Sequence, residues 1–487
     1  MSFASERHLP ISVLTELPRE WPVELLPAIR REVVRTRRKL VILDDDPTGT
    51  QTVHGLPVLT HWSEPALVEE LRGEHQAFFL LTNSRSLPEL QARALAAEIG
   101  ASLRQAMELS GREAIVVSRS DSTLRGHFPA EVDSLAVAMG RQGLPYLLIP
   151  FFLEGGRYTI GDVHYVQEGE VLIPAAQTPF AKDAAFGFSH SNLRMWVEEK
   201  SHGRIPSSRV VSISLEDIRL GGVRAVTEKL LSVPPDSAAI VNAASYRDME
   251  VVVAATFAAE RRGASFLYRT AASFIRTRVG MASESGLLNG EQMAGPSPHG
   301  GLFVIGSYVP KTGQQLARLL ADGAVAPVEL SVTTLLVDGA RAEEISRVKK
   351  KVNEFLAFGR DVALYTSRQL VSGADAETSL AIGAIVSRSL IEVVRELTVR
   401  PRYLVAKGGI TSSDVATIGL GVKRAIILGQ ALPGVPAWQL GAESRYPGMA
   451  YIVFPGNVGD DQALVTLQRT FRRRAPEAPS PAGSSSC

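Results

Sequence analysis

The feature that most constrains this fold is a regular alternation of short apolar segments with longer amphipathic stretches, which begins at Lys39. Stretches with helical spacing separate several of the apolar segments, for example at residues 88–109 and 215–231. Strands that alternate with helices in this way form βαβ units, so the sequence predicts a largely parallel sheet. The candidate strands are residues 40–43, 77–81, 114–117, 146–149, 210–213, 239–241 and 266–268, and then 302–305, 328–330, 363–365, 403–406, 425–428 and 452–454.

The chain is long enough to form two domains. Its 487 residues exceed the ~250–300 residues that a single hydrophobic core usually supports. A stretch near residue 290 is rich in Gly, Ser and Pro and has no clear period, which is typical of a linker. Residues 151–190 also interrupt the alternation and are expected to form a long loop or a hairpin. The predicted segments are an N-terminal extension at 1–38 with a helix at 23–37, α/β domains at 39–280 and 301–473, a linker at 281–300, and a disordered tail at 474–487.

Composition argues against several classes of partner. The chain has 52 Lys and Arg residues against 51 Asp and Glu residues, so no basic field for nucleic acid or an anionic membrane is expected. No run of about 18 apolar residues is present, and the N-terminus lacks the apolar segment of a signal peptide. The single cysteine is Cys487, which excludes an internal disulfide. We therefore expect a soluble, cytoplasmic protein.

The first predicted strand ends in three consecutive carboxylates, Asp44, Asp45 and Asp46, followed by a Pro-Thr-Gly turn. In α/β sheets, ligands bind at the carboxyl ends of the strands. Three adjacent like charges need a positive or hydrogen-bond-donating neighbour, and a sugar polyol, a metal ion or an arginine could serve. The structural alternative is that one aspartate caps the next helix while the others face water.

Two further strand ends carry arginines. The second strand is followed by Arg85 among small hydroxyl residues, a setting that suits capture of a carboxylate. The third ends in a segment with Arg119, Asp121 and Arg125, in which the arginines could bind an anion while the aspartate accepts a proton from a hydroxyl group. A structural Arg–Asp pair is the alternative.

In the second half, two glycine-rich turns follow predicted strands. The turn at 407–414 contains Gly408 and Gly409, and the turn at 455–460 contains Gly456. Glycines let the backbone approach a phosphate, and the amides of a following helix favour an anion. Each turn alone is a common connection between a strand and a helix, but the two turns together predict a nucleotide-binding site. No dinucleotide fingerprint or complete P-loop is present, and no residues have the spacing of metal ligands.

Taken together, these segments resemble the four-carbon acid sugar kinase family over roughly residues 39–472. The family's two aspartates followed by Thr-Gly resemble residues 45–49, and its Asp-Ser-Thr-Leu-Arg-Gly signature is matched at 121–126. The segment at 156–164 and the ordered turns at 306–307, 408–412, 433–436 and 455–459 also fit. The family's usual glutamate is Ile410 here, and its common lysine is Phe454.

The resemblance implies an ATP-dependent, Mg²⁺-dependent kinase that phosphorylates a tetronate-like acid bound with the nucleotide in the cleft between two α/β domains. We predict Asp121, or else Asp46, as the general base. A homodimer is possible. Alternative functions are an ATP- or metabolite-binding protein without turnover and a sugar-acid dehydrogenase or aldolase. The predicted substrate-binding residues are Asp45, Arg85, Arg119, Ser122, Arg125, Arg157 and His164, and the predicted nucleotide-binding residues are Ser307, Gly408, Gly409, Ile410, Thr411, Ser412, Gly456, Asn457 and Gly459.

Overall fold

The structure is a computed structural model that describes residues 6–282, 286–293, 295, 297–337, 339–368, 371 and 376–472. The predicted tail at 474–487 lies outside the described residues. The strands are β1 Leu9–Pro10, β2 Lys39–Asp44, β3 Pro57–Leu59, β4 Ala77–Leu81, β5 Ala114–Arg119, β6 Tyr146–Ile149, β7 Arg157–Ile160, β8 Val163–Glu168, β9 Val171–Pro174, β10 Val210–Ile213, β11 Ala238–Val241, β12 Leu267–Thr270, β13 Leu302–Ile305, β14 Val325–Leu330, β15 Asp361–Thr366, β16 Leu404–Lys407, β17 Arg424–Leu432, β18 Val435–Leu440 and β19 Ala450–Phe454.

The α-helices are α1 Val13–Glu16, α2 Leu26–Thr36, α3 Glu64–Arg72, α4 Glu89–Ser110, α5 Ala130–Ala138, α6 Leu193–Lys200, α7 Leu215–Arg219, α8 Gly222–Leu231, α9 Tyr246–Arg261, α10 Ala272–Arg278, α11 Gly290–Met293, α12 Pro310–Ala321, α13 Val332–Leu335, α14 Ala340–Ala357, α15 Ala376–Arg395, α16 Gly409–Asp414 and α17 Ala463–Phe471. A π-helical turn, Val415–Gly419, continues α16. Every predicted strand has an observed counterpart, and the predicted α/β fold class is confirmed.

The main sheet runs through both halves of the chain. The first half contributes eight strands, all parallel, in the order β10-β11-β6-β12-β5-β2-β4-β3. The second half continues the sheet in the order β17-β18-β19-β16-β13-β15-β14, in which the last five strands are parallel. The antiparallel pair β3–β17 joins the halves, with Val58 opposite Ala425. The two predicted sheets are therefore one sheet of 15 strands.

The central strands lack the alternation of apolar and polar residues that marks a half-exposed strand. All five residues of β4 are buried, as are all six residues of β2. Parallel strands that are covered on both faces by helices have this near-continuous apolar character. The carboxyl ends of these strands consequently form the edge at which polar side chains collect.

The segment at 151–190 forms a second, antiparallel sheet in the order β1-β9-β8-β7. Strands β7 and β8 are joined by Gly161 and Asp162, which both have positive φ angles, as a tight two-residue hairpin turn requires. The first strand, β1, comes from the N-terminal extension and pairs with β9. The N-terminal extension thus packs against the segment at 151–190.

One predicted helix is wrong in its length. The stretch at 215–231 was predicted as one helix, but it is divided into α7 and α8. Gly222 has a φ of +62°, and a Cβ atom at this position would overlap the indole ring of Trp21. Position 222 therefore needs glycine for two reasons: its φ angle is positive, and Trp21 of the N-terminal extension leaves no room for a side chain.

Candidate active site

The acidic turn after β2 folds back on itself. Asp46 caps a short 3₁₀ helix, Pro47–Thr50, by accepting hydrogen bonds from the Thr48 amide at 2.8 Å and the Thr48 hydroxyl at 2.5 Å. A Cβ atom at Gly49 would overlap the Asp44 carboxylate, so only glycine fits there. The Pro-Thr-Gly turn therefore holds the carboxylates at the edge of the sheet, as the sequence predicts for a functional turn.

Asp44 lies beneath this turn and is 1% exposed. Its Oδ1 atom is 3.3 Å from Arg119 Nη1, while Oδ2 has no hydrogen-bond partner among the described residues. Burial raises the pKa of Asp44 to about 7, although the charge of Arg119 opposes this shift. Arg119, which was predicted to bind substrate, is itself buried and is engaged with Asp44 below the pocket.

Arg85 is the centre of the polar cluster. A short 3₁₀ turn after β4, Ser84–Ser86, directs its guanidinium toward the acidic turn. Arg85 Nη2 is 2.7 Å from Asp45 Oδ1 and 3.6 Å from Asp46 Oδ2, and Nη1 is 3.9 Å from Asp121 Oδ1. One guanidinium therefore contacts three carboxylates that come from two different strand ends.

Asp121 lies in the loop after β5. It accepts a hydrogen bond from Arg125 Nε at 2.7 Å and another from the Thr123 hydroxyl. Burial alone would raise the pKa of Asp121, but the charges of Arg85 and Arg125 hold it well below its usual range. Asp121 is therefore an ionised carboxylate across the physiological range.

Residues of the segment at 151–190 contact this cluster. Arg125 and Arg157 both contact the Phe180 ring, with guanidinium carbons 5.1 Å and 5.6 Å from its centroid. Asp183 is 3.6 Å from Arg125 Nη1. Arg157 donates to the Gly155 carbonyl and has no carboxylate within 4 Å in the described part of the chain. An arginine without a carboxylate partner beside this polar cluster is suited to an anionic ligand.

His164 and Ser122 support the loop. His164 is fully buried, its Nε2 atom lies 2.7 Å from the Ser122 carbonyl, and its Nδ1 atom lies 2.9 Å from the Thr159 hydroxyl. Burial lowers the pKa of His164 to about 4, so the neutral ring donates from Nε2 and accepts at Nδ1. The predicted role of His164 in substrate binding does not fit this geometry, because both ring nitrogens are bonded to the protein.

Three residues of the cluster were not predicted from the sequence. The Arg269 guanidinium donates to the Arg125 carbonyl at 2.8 Å, Ser120 donates to Asp45 Oδ2 at 2.5 Å, and Glu131 accepts from Ser84 at 2.7 Å. Burial raises the pKa of Glu131 to about 7. Arg269 lies inside strand β12, so a search of the residues that follow each strand could not find it.

In the second half, three glycines end the adjacent strands β13, β16 and β19. They pack closely around one loop, because a Cβ atom at Gly408 would lie 3.0 Å from Ser307 Cβ and one at Gly456 would lie 3.3 Å from Ser307 Oγ. A Cβ atom at Gly306 would lie 2.5 Å from Thr411 Oγ1. Side chains at these positions would crowd the loop, so the glycines let the backbones of the three strand ends approach one another closely.

A cavity of about 300 Å³ opens beside these glycines. It is lined by Ser307, Tyr308, part of α15 and the predicted residues Gly408, Gly409, Ile410 and Thr411. Ser412 does not face this cavity, since its buried hydroxyl donates to the Ala406 carbonyl at 2.7 Å. The predicted residues Gly456, Asn457 and Gly459 lie on the turn after β19. An additional cation, Arg368, donates to the Ser307 carbonyl at 2.8 Å.

The acidic turn and the glycine turns meet at one edge of the joined sheet. A Cβ atom at Gly409 would lie 3.4 Å from Asp46 Oδ2, so this carboxylate faces the start of α16. A buried hydrogen bond of 2.9 Å from Trp438 Nε1 to the Thr50 hydroxyl fixes the acidic turn to the second half. The two predicted sites therefore form one continuous site.

Within the described residues, no group of three or more His, Cys, Asp or Glu side chains could hold a metal ion. Across the same part of the chain, no helix combines the length and apolar character needed to cross a membrane.

Comparison with known families agrees with this two-part site. Residues 40–278 match a sugar-binding N-terminal domain, and residues 302–464 match a nucleotide-binding C-terminal domain. The fold and the site thus define a two-domain α/β protein with one sugar-binding half and one nucleotide-binding half.

Individual relatives point to the same group. The chain is 24% identical over 329 residues to a D-erythronate kinase of Heliobacterium modesticaldum, covering 65% of this chain and 68% of that protein. A Haemophilus influenzae protein of the DUF1537 family has the same fold, with a TM-score of 0.61, 16% identity, and coverage of 89% and 100% of the two chains. A Salmonella typhimurium LT2 protein gives a TM-score of 0.64 at 17% identity with the same coverage. The chain belongs to the four-carbon acid sugar kinase family.

Proposed function

We propose that this protein transfers the terminal phosphoryl group of ATP to a hydroxyl group of a small sugar acid, a four-carbon acid such as a tetronate. The observation that carries the proposal is the 3.4 Å approach between Asp46 Oδ2 and the position of a Cβ atom at Gly409. This approach puts a pocket rich in arginine and aspartate directly beside backbone amides suited to phosphates. Phosphoryl transfer depends mainly on such positioning and on neutralisation of charge.

The nucleotide would bind at the second half. Gly408 and Gly456 leave the space that a phosphate group needs, and the amides at the start of α16 favour an anion. The residues also suit Mg²⁺, which proteins commonly bind through one or two carboxylates together with substrate phosphates. The ion would be held mainly by the phosphate groups at the end of the pocket that Asp46 faces, and it would neutralise phosphate charge.

The acid would bind under the antiparallel sheet. Its carboxylate would lie against Arg157, which lacks a carboxylate partner in the described structure, and close to Arg125. Its hydroxyl groups would meet Asp45 and Arg85, which supply acceptors and donors for a polyol. The Phe180 ring, which contacts both arginines, would pack against the acid and limit its length.

For the general base, we propose Asp46 ahead of Asp121. Asp121 is neutralised by Arg125 and Arg85, whereas Asp46 faces the glycine turn from which the phosphoryl group would come. Arg85 and Thr48 outweigh the effect of burial and hold the pKa of Asp46 below its ordinary value, so the carboxylate is ionised and can accept a hydrogen bond from the hydroxyl group. Asp121 would then orient Arg125 and Arg85 toward the acid.

The test is a coupled ADP-release assay with ATP, Mg²⁺ and a panel of stereoisomeric four-carbon sugar acids, run on the wild type, Asp46→Asn and Asp121→Asn. Acid-dependent ADP release that is lost in Asp46→Asn would support the proposal and identify the acid. Stabilisation by ATP without turnover on any acid would instead favour a nucleotide-binding protein. Full activity of Asp46→Asn would exclude Asp46 as the base.

A further inference from the structure

Lys407, the last residue of β16, is a fully buried lysine. Its Nζ atom donates to the carbonyl of Pro455 at 2.7 Å and to that of Gly456 at 3.2 Å, and it lies 3.8 Å from the centroid of the Phe454 ring. No carboxylate of the described chain lies within 4 Å of this ammonium group. Lysines are rarely buried without a paired anion, so this position calls for a specific role.

Lys407 is one of three side chains that donate hydrogen bonds to the backbone carbonyls of the turn after β19. The Thr312 hydroxyl also donates to the Gly456 carbonyl, at 3.1 Å. Gln315 Nε2 donates to the Val458 carbonyl at 3.0 Å and to the Asp460 carbonyl at 2.7 Å. Four carbonyls of one short turn are thus bonded to side chains on its inner side.

This arrangement fixes the direction of the amides in the same turn. In a trans peptide the N–H group points away from the carbonyl of the preceding residue. The amides of Gly456, Asn457 and Gly459 follow inward-facing carbonyls, so they point outward. Within the described residues, none of these three amides donates to a protein acceptor. Successive free amides of this kind form a concave site for an anion.

The charge around the turn also favours an anion. Burial lowers the pKa of Lys407 to about 7, and the neighbouring Lys311 acts in the same direction. A phosphate group bound to the outward amides would stabilise the charged form of Lys407 through the turn. Ser307, which lines the cavity beside the glycine turns, also lies close to Gly456.

We propose that Lys407 is a positioning residue for the nucleotide phosphates: it holds the carbonyls of Pro455 and Gly456 inward and thereby presents the amides of the turn to a phosphate group. This inference rests on the proposed function, because it takes a nucleoside di- or triphosphate as the ligand. Lys407 is too deeply buried to contact the phosphate itself, so it acts through the turn.

The chain offers a matched control in Lys39. Lys39 is also buried, at 5% exposure, and its Nζ atom also donates to two backbone carbonyls, those of Gly73 and His75. It lies at the first residue of β2, at the opposite edge of the sheet from the site. Replacement of either lysine by methionine removes a buried ammonium group and two hydrogen bonds, but only Lys407→Met alters the turn.

The experiment measures ADP binding by calorimetry for the wild type, Lys407→Met and Lys39→Met, together with the KM for ATP and for the acid. We expect Lys407→Met to weaken ADP binding and raise the KM for ATP at least tenfold, with the KM for the acid unchanged. Lys39→Met should keep ADP affinity within twofold of the wild type. ADP affinity within twofold of the wild type in Lys407→Met, or an equal loss in both variants, would overturn the inference.

If Lys407→Met fails to fold, Thr312→Val tests the same turn, because it removes the other donor to the Gly456 carbonyl. We expect it to weaken ADP binding about threefold, and unchanged affinity would overturn the inference. A wild type that binds ADP but phosphorylates no acid would refute the proposed function while leaving the test of Lys407 intact. A wild type that binds no nucleotide would refute both.

Discussion

The stability of Asp44→Asn relative to the wild type should improve as the pH rises, although the substitution removes one member of an ion pair with Arg119. Asp44 is buried, and one of its carboxylate oxygens has no partner among the described residues. Burial raises its pKa from an ordinary value of 3.8 to about 7 despite the opposing charge of Arg119. The folded state therefore binds a proton that the unfolded state releases at lower pH.

The sign and size of the effect follow from this difference. The stabilising contribution of protonated Asp44 is fully present below pH 3.8 and is lost as the pH rises toward 7. Each pKa unit corresponds to about 1.4 kcal/mol, so the loss between pH 4 and pH 8 is on the order of 4 kcal/mol. Asparagine resembles the protonated acid and does not titrate. The free energy of unfolding of the variant should therefore rise by about 4 kcal/mol relative to that of the wild type between pH 4 and pH 8.

The assay is urea denaturation of both proteins at pH 4, 6 and 8, followed by circular dichroism. Many groups contribute to the pH dependence of each protein, but the difference between the two isolates Asp44. The exposed Asp461, replaced by Asn, serves as the control, and its effect on the free energy of unfolding should vary with pH by less than about 0.5 kcal/mol. A difference between Asp44→Asn and the wild type that stays constant from pH 4 to pH 8 would refute the reasoning.

Three further predictions concern the site. Asp46→Asn should lower kcat by about 10²–10⁴-fold with ADP affinity unchanged, because a positioned general base contributes a rate factor of about this size. A smaller loss of kcat in the ADP-release assay would contradict the role of Asp46 as the base. Arg157→Ala should raise the KM for the acid at least tenfold and leave the KM for ATP unchanged, and an equal rise in both constants would indicate general damage to the fold. Gly408→Ala should weaken ADP binding and cost about 1–2 kcal/mol in stability, because Gly408 has a φ of +112° and an added Cβ atom would lie 3.0 Å from Ser307 Cβ. Normal ADP affinity by calorimetry would contradict this prediction.

The joined sheet has a consequence for how the two halves cooperate. Strand β3 pairs with β17, and Arg424 Nε of the second half lies 2.5 Å from Glu70 Oε1 of the first. Together with the hydrogen bond from Trp438 to Thr50, these contacts hold the acidic turn against the second half. The distance from Asp46 to the glycine turn is therefore set by backbone pairing as well as by side chains.

Local patterns in the sequence determined the elements and the two halves of the site. Continuous apolar runs such as 77–81 predicted buried parallel strands, and reading the strand ends identified Asp46, Arg85, Asp121 and Gly408. The predicted strands are confirmed because burial of a strand and the conformation of a glycine turn depend mainly on nearby residues, whereas the roles of the residues at the strand ends stay predictions. The order of the residues, taken with the family signature at 121–126, also identified the family.

Only the tertiary structure decided which of these residues act together. Arg269 and Glu131 reach the cluster from the middle of β12 and from α5, which no local signal indicates. The ionisation of Asp44, the support role of His164 and the approach of Asp46 to Gly409 all depend on burial and on contacts between segments distant in sequence. Local sequence determines conformation, whereas the electrostatic environment of a side chain is determined by the neighbours that folding brings to it.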